Sequence, residues 1–137
     1  MTHLTQYDRD MIRLGLDPFA WAYVECMLWS STDGQDEPLD REHWAGDLSD
    51  EALATVRDDC RLFCEQAEDR LETEEDRLEF QRREERAGHD FWLSRARLGA
   101  GFCGSWGRTM GNLLTDVAQE FAEQDPYVGD DGRIHLQ

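Results

Sequence analysis

The sequence predicts an α+β domain: a small antiparallel β-sheet, with hairpins near 89–104 and 126–136, packed against three or four α-helices. Three observations carry the prediction. Apolar residues recur at helical spacing behind good start signals at Asp17-Pro18 and Ser49. Between Gly88 and Trp106 the aromatic residues fall among glycines, as in two bent strands. Near the end, Gly129-Asp130-Asp131-Gly132 separates two short apolar runs, the chemistry of a hairpin turn.

Residues 1–16 carry Leu4, Tyr7, Met11, Ile12 and Leu14 ahead of Gly15, which reads as an N-terminal helix or a mobile arm; 17–137 reads as one acidic domain. At Asp17 the carboxylate can cap free N–H groups, and Pro18 has no N–H to lose at the first helical position. From Phe19 to Trp29 only Glu25 is polar, so that helix belongs in the middle of the core or against a partner. Residues 31–46 read as a loop from their Gly, Asp, Pro and Ser content. Ser49 caps the next helix, and Leu53, Val56, Cys60, Phe63, Ala67 and Leu71 form one apolar stripe along it. The pattern persists toward Arg86, too long for one globular helix, so a break is expected near Glu72–Glu75 or else a protruding hairpin. Residues 89–95 and 99–104 read as antiparallel strands, because Phe91 and Leu93 alternate with Trp92 and Ser94. A helix striped by Met110, Leu113, Leu114, Val117 and Phe121 follows and ends before Asp125-Pro126.

Charge is the dominant compositional feature. In 137 residues, 31 acidic groups face 14 basic ones, a net charge of −17, and every basic residue is Arg. The excess is concentrated: 33–51 holds eight acidic residues and one Arg, 65–86 ten and five, and 116–131 six and none. Such a surface is self-repulsive and soluble, and it argues against direct binding to nucleic acid or to an anionic membrane. No apolar run approaches the ~18 residues that a span requires, and no signal peptide is evident, so a cytoplasmic location with reduced thiols is expected.

The candidate chemistry is sparse. Cys60 and Cys64 lie one helical turn apart without the Cys-x2-Cys pairs of zinc sites, and core packing is the simpler reading. Asp33, Asp36, Glu37 and Asp40 lack the spacing of a calcium loop. The glycines of 99–107 precede a helix, but without any Lys there is no Walker motif. His89-Asp90 resembles the start of an acid–base or metal-dependent site, yet no nucleophile is placed beside it by spacing. No catalytic residue, metal or cofactor is therefore expected. Carboxylates remain: Glu65, Asp69, Glu72, Asp76 and Glu79 recur at steps of three or four, which aligns them about every 5–6 Å on one helix face. Phosphates along a DNA strand have a similar spacing, so such a face suits the basic groove of a nucleic-acid-binding protein. With Asp33, Asp36, Glu37, Asp40 and the neighbouring Trp44, these are the candidate partner-binding residues.

The runs Ala87-Gly88-His89-Asp90-Phe91-Trp92-Leu93, Gly99-Ala100-Gly101-Phe102 and Tyr127-Val128-Gly129-Asp130-Asp131-Gly132 resemble a family of small acidic proteins encoded by bacteriophages. Leu28-Trp29-Ser30-Ser31-Thr32-Asp33 and Glu37-Pro38-Leu39-Asp40 look like the same family. The chain departs from that pattern at Leu98, where relatives tend to carry a second histidine, and at Cys103-Gly104-Ser105, where they tend to carry Trp-Asp-Arg. The resemblance implies a phage or prophage origin and brings no settled activity. Because small acidic phage proteins often mimic DNA, it implies an inhibitor of host CRISPR or restriction machinery, acting in the host bacterial cell on a positively charged nucleic-acid channel. Two other readings stand beside it: a phage accessory or structural subunit that oligomerises, at least as a homodimer, through the Trp21–Trp29 helix, and a small metal-dependent enzyme around His89 and Asp90.

Overall fold

A computed structural model describes residues 3–137, and it is mainly helical. Six α-helices and one two-stranded ribbon make up the regular structure among the described residues: α1 Gln6–Leu14, α2 Pro18–Ser30, α3 Asp50–Arg70, α4 Glu74–Arg82, α5 Glu84–Ala96, α6 Arg108–Gln119, β1 Pro126–Val128 and β2 Ile134–Leu136. Short 3-10 turns occupy Leu39–Arg41, Ala45–Asp47 and Gly101–Cys103.

This overturns the α+β expectation, and the error lies in one segment. Residues 89–95 are helical, within α5, and 99–104 hold a bend and the 3-10 turn Gly101–Cys103 where a second strand was expected. Helix α5 buries Ala87, Gly88, Asp90, Phe91, Trp92, Ser94 and Arg95, which lie on more than one face. A helix surrounded by core carries no single apolar stripe, so its 3.6-residue period is invisible and a short chance alternation passes for a strand. Gly88 sits mid-helix for a packing reason: a Cβ there would stand 2.0 Å from the Phe19 carbonyl oxygen, so its bare backbone lets α5 cross α2 at close range. The helix ends in a left-handed residue, Arg97 (φ 59°), with Leu98 N–H donating to Leu93 O at 2.9 Å.

The other elements form as their residues dictate. Asp17 accepts from Ala20 N at 2.8 Å and caps α2. Ser49 accepts from Ala52 N at 3.1 Å and caps α3. Thr73 accepts from Asp76 N at 3.0 Å and restarts the chain as α4, so the long helical stretch breaks at 71–73, where buried Leu71 turns inward. Thr5 opens α1 with a capping box. Met1 and Thr2 of the expected N-terminal segment lie outside the described residues.

Phe63 of α3 is the centre of the core. Its ring stacks on Phe91 at 4.1 Å and on Phe102 at 5.6 Å, and lies within 6.2 Å of Phe80. Around it α2 contributes Phe19, Tyr23, Val24 and Met27, so the nearly all-apolar helix is indeed interior. The ribbon is antiparallel with Tyr127 opposite His135, and buried Ile134 fixes it to the start of α3, its carbonyl accepting from Ser49 N at 2.9 Å.

Candidate binding surface

The stripe expected along 65–79 is divided by the break between α3 and α4. Glu65 and Asp69 stand on α3, Glu72 in the connection, and Asp76 and Glu79 on α4. Several are engaged with guanidinium groups of the same chain. Glu65 accepts from Arg61 at 3.2 Å, and Glu79 pairs with Arg83 at 3.5 Å. Among the described residues, Asp69, Glu72 and Asp76 form no ion pair. Consecutive carboxylates thus differ in net charge, which an even ladder of phosphate-like groups would not.

In the 33–44 segment, Asp33 serves its own turn. Its Oδ1 accepts from Gln35 N at 2.7 Å and Glu37 N at 3.0 Å, and those backbone donors, Glu37 first, hold the carboxyl below its usual range. Asp36 takes the left-handed conformation (φ 62°) that closes the turn. Glu37 pairs with Arg41 at 2.7 Å. Asp40 is exposed and has no ion-pair partner among the described residues, while Trp44 lies over Gly46 with the Arg13 guanidinium 5.6 Å from its ring.

Tertiary packing creates a second acidic surface that no spacing in the sequence marks. Burial, then the charges of Glu85 and Glu25, raises the Tyr7 hydroxyl pKa. Burial, then Asp17 and Glu85, raises that of Glu84. Cys64 is pushed up to about 12 by burial, then by Asp17, Glu68 and Glu84. Carboxylates from α2, α3 and α5 therefore share one field. Where α2 meets α5, Glu25, Asp40 and Glu85 border a shallow groove of about 450 Å³ together with Cys26, Arg86 and His89. Trp29 projects there, 60% exposed, as the one aromatic of α2 that the core does not cover.

His89 and Asp90 are built for a different task. The Asp90 side chain is fully buried, and its Oδ2 accepts from Trp106 Nε1 at 2.7 Å and Arg86 Nε at 3.1 Å. Its Oδ1 lies 3.2 Å from His89 Nδ1. The carboxylate is thus saturated and joins α5 to the segment before α6. Nearby hydroxyls are committed elsewhere: Ser94 Oγ accepts from Phe102 N at 3.1 Å, and Ser105 Oγ accepts from Arg83 at 3.1 Å. Cys60 is buried and Cys64 partly so, and no group of three His, Cys, Asp or Glu side chains able to hold a metal occurs among the described residues. Arg95, also buried, donates to Asp59 at 2.7 Å, to Ala122 O at 2.8 Å and to the Tyr23 hydroxyl at 3.2 Å.

No helix among the described residues is long and apolar enough to cross a membrane. No protein-family profile, curated protein or solved structure matches the chain.

Proposed function

We propose that this protein is a non-enzymatic acidic inhibitor that docks on the positively charged nucleic-acid channel of a host defence protein, with the Trp29 groove as its contact surface. The observation that carries the reading is an exposed indole bordered by Glu25, Asp40 and Glu85, none of which forms an ion pair among the described residues. Arg86, the cation of the groove, is turned to buried Asp90 and leaves those carboxylates uncompensated. An aromatic anchor at the centre of a charged rim is the usual anatomy of a binding hot spot. The net charge of −17 adds long-range attraction to a basic partner and repels DNA itself. The resemblance to small acidic phage proteins favours a CRISPR or restriction component as that partner.

The test begins with affinity capture from a bacterial lysate and continues with competition. The captured partner should exchange DNA or guide RNA for this protein, and affinity should fall steeply between low and moderate salt. A partner that holds nucleic acid and this protein together overturns the reading. So does undiminished binding by the triple variant Glu25→Gln, Asp40→Asn, Glu85→Gln.

A further inference from the structure

Every strongly basic side chain here is an arginine, and three of them converge on one cleft of about 370 Å³. It lies between the end of α1, the 3-10 turn at Ala45–Asp47 and the first two turns of α3. Asp50, Leu53 and Arg57 follow one another at steps of three and four, so they share a face of α3, and the helical rise sets the outer two about 10 Å apart. Buried Leu53 floors the middle. At one end Arg133 Nη2 donates to Leu48 O at 2.8 Å and stands 3.8 Å from Asp50 Oδ1. At the other, Arg57 Nη1 donates to Leu14 O at 2.8 Å, with Arg13 next to Leu14 on α1.

These cations have donors to spare. Arg57 has no ion-pair partner among the described residues and a single N–H in a hydrogen bond. Asp10 approaches Arg13 from outside the cleft at 3.6 Å, too long for a hydrogen bond. Asp50, its side chain 95% exposed, is the only carboxylate of the lining, so three guanidinium groups leave the cleft net positive. At physiological salt a field fades over about 8 Å, so this local charge, and not the −17 of the whole chain, governs a small anion seated here. A polynucleotide would run past the cleft onto acidic surface and be repelled. Guanidinium forks match the oxygen pairs of carboxylate and phosphate. A carboxylate or a single phosphate engages one end of the cleft, whereas a diphosphate offers oxygens to both. We propose that this cleft is a receptor for a diphosphate group, free or carried by a nucleotide, held by Arg133 at one end and by Arg57 and Arg13 at the other. The bonds to Leu14 O and Leu48 O fix two of the forks before the ligand arrives, which lowers the ordering cost of binding. The cleft shares no lining residue with the Trp29 groove.

Isothermal titration calorimetry of the full chain with sodium diphosphate at physiological salt tests it, with inorganic phosphate and sulfate as controls. One saturable site is expected, about tenfold tighter for diphosphate than for either control. Arg57→Gln and Arg133→Gln should each weaken binding about tenfold, and Arg57→Lys, which keeps the charge and loses the fork, should weaken it several-fold. Arg108→Gln, at an exposed arginine outside the cleft, should change nothing. Where loss of Arg57 frees α1, Asp50→Asn carries the test: removing the one negative charge of the lining should tighten binding several-fold. Trp29→Ala should leave the titration unchanged, so failure of the groove reading and failure of this one are seen separately. ADP that binds more tightly than diphosphate assigns the site to a nucleotide; the reverse assigns it to the free anion. Absence of saturation, equal affinity for sulfate, equal weakening by Arg108→Gln, or no gain in Asp50→Asn would overturn the proposal.

Discussion

The indole N–H of Trp106 donates to the fully buried Oδ2 of Asp90 across 2.7 Å, and this bond ties the central helix α5 to the entrance of α6. Arg86 holds the same oxygen from the preceding turn of α5. Asp90→Ala should therefore cost about 3 kcal/mol or more, since it strands a buried indole N–H and leaves Arg86 without its partner. Asp90→Asn keeps an acceptor for Trp106 and should cost less. Urea denaturation of the two variants measures the difference.

Gly88→Ala should be among the most damaging single methyl additions in the chain. The new Cβ would meet the Phe19 backbone at 2.0 Å, a contact that only separation of α2 from α5 relieves. Overpacking against backbone costs about 1–3 kcal/mol and occasionally more, and here the upper end is expected. Gly34, whose added Cβ meets nothing within 4 Å, supplies the control. Thermal melts of Gly88→Ala and Gly34→Ala should differ by several degrees.

The thiols predict both a reactivity count and a pH dependence. Cys26 and Cys64 are pushed up to about 12, chiefly by burial, and Cys60 well above 9. Only Cys103 is exposed, so a thiol reagent at pH 8 should modify one cysteine rapidly in the folded protein and all four in denaturant. Between pH 9 and 12 the unfolded thiols release protons that the folded ones retain. The unfolded state then binds fewer protons, and stability falls as pH rises, by up to about 1.4 kcal/mol per pH unit for each thiol. Denaturation midpoints at pH 8, 9.5 and 10.5 should decline in that order.

Trp29→Ala separates binding from folding. The side chain is 60% exposed, so its loss should change stability by no more than about 0.5 kcal/mol, as for a surface substitution. Affinity for the captured partner should drop by about 2 kcal/mol, the scale of a hot-spot tryptophan. Calorimetry of the variant alone and in complex reads the two effects independently.

Elements with their own chemical boundaries were legible in the sequence. Asp17-Pro18, Ser49 and Gly129–Gly132 announced α2, α3 and the ribbon, because capping and turn formation are settled by residues within a few positions of one another. The stripe of α6 appeared for a similar reason, with one face buried and one wet. Helix α5 did not, since its neighbours surround it and its aromatic residues follow no period.

The candidate surface divides along the same line. The sequence proposes Asp33, Asp36, Glu37 and Asp40 from an acidic loop and the Glu65–Glu79 series from carboxylate spacing; in the structure Arg61 and Arg83 pair with Glu65 and Glu79, and Asp33 accepts hydrogen bonds within its own turn. Glu25 and Glu85 lie 60 positions apart and carry no signal in the chain, and the helix of Trp29 reads either as core or as a partner surface without marking which of its aromatics faces outward. The sequence by itself determined the charge, the interior character of α2 and the local caps and turns. Only the tertiary structure decided which carboxylates stay unpaired and which aromatic reaches solvent, because pairing and exposure depend on what the rest of the chain folds against each side chain.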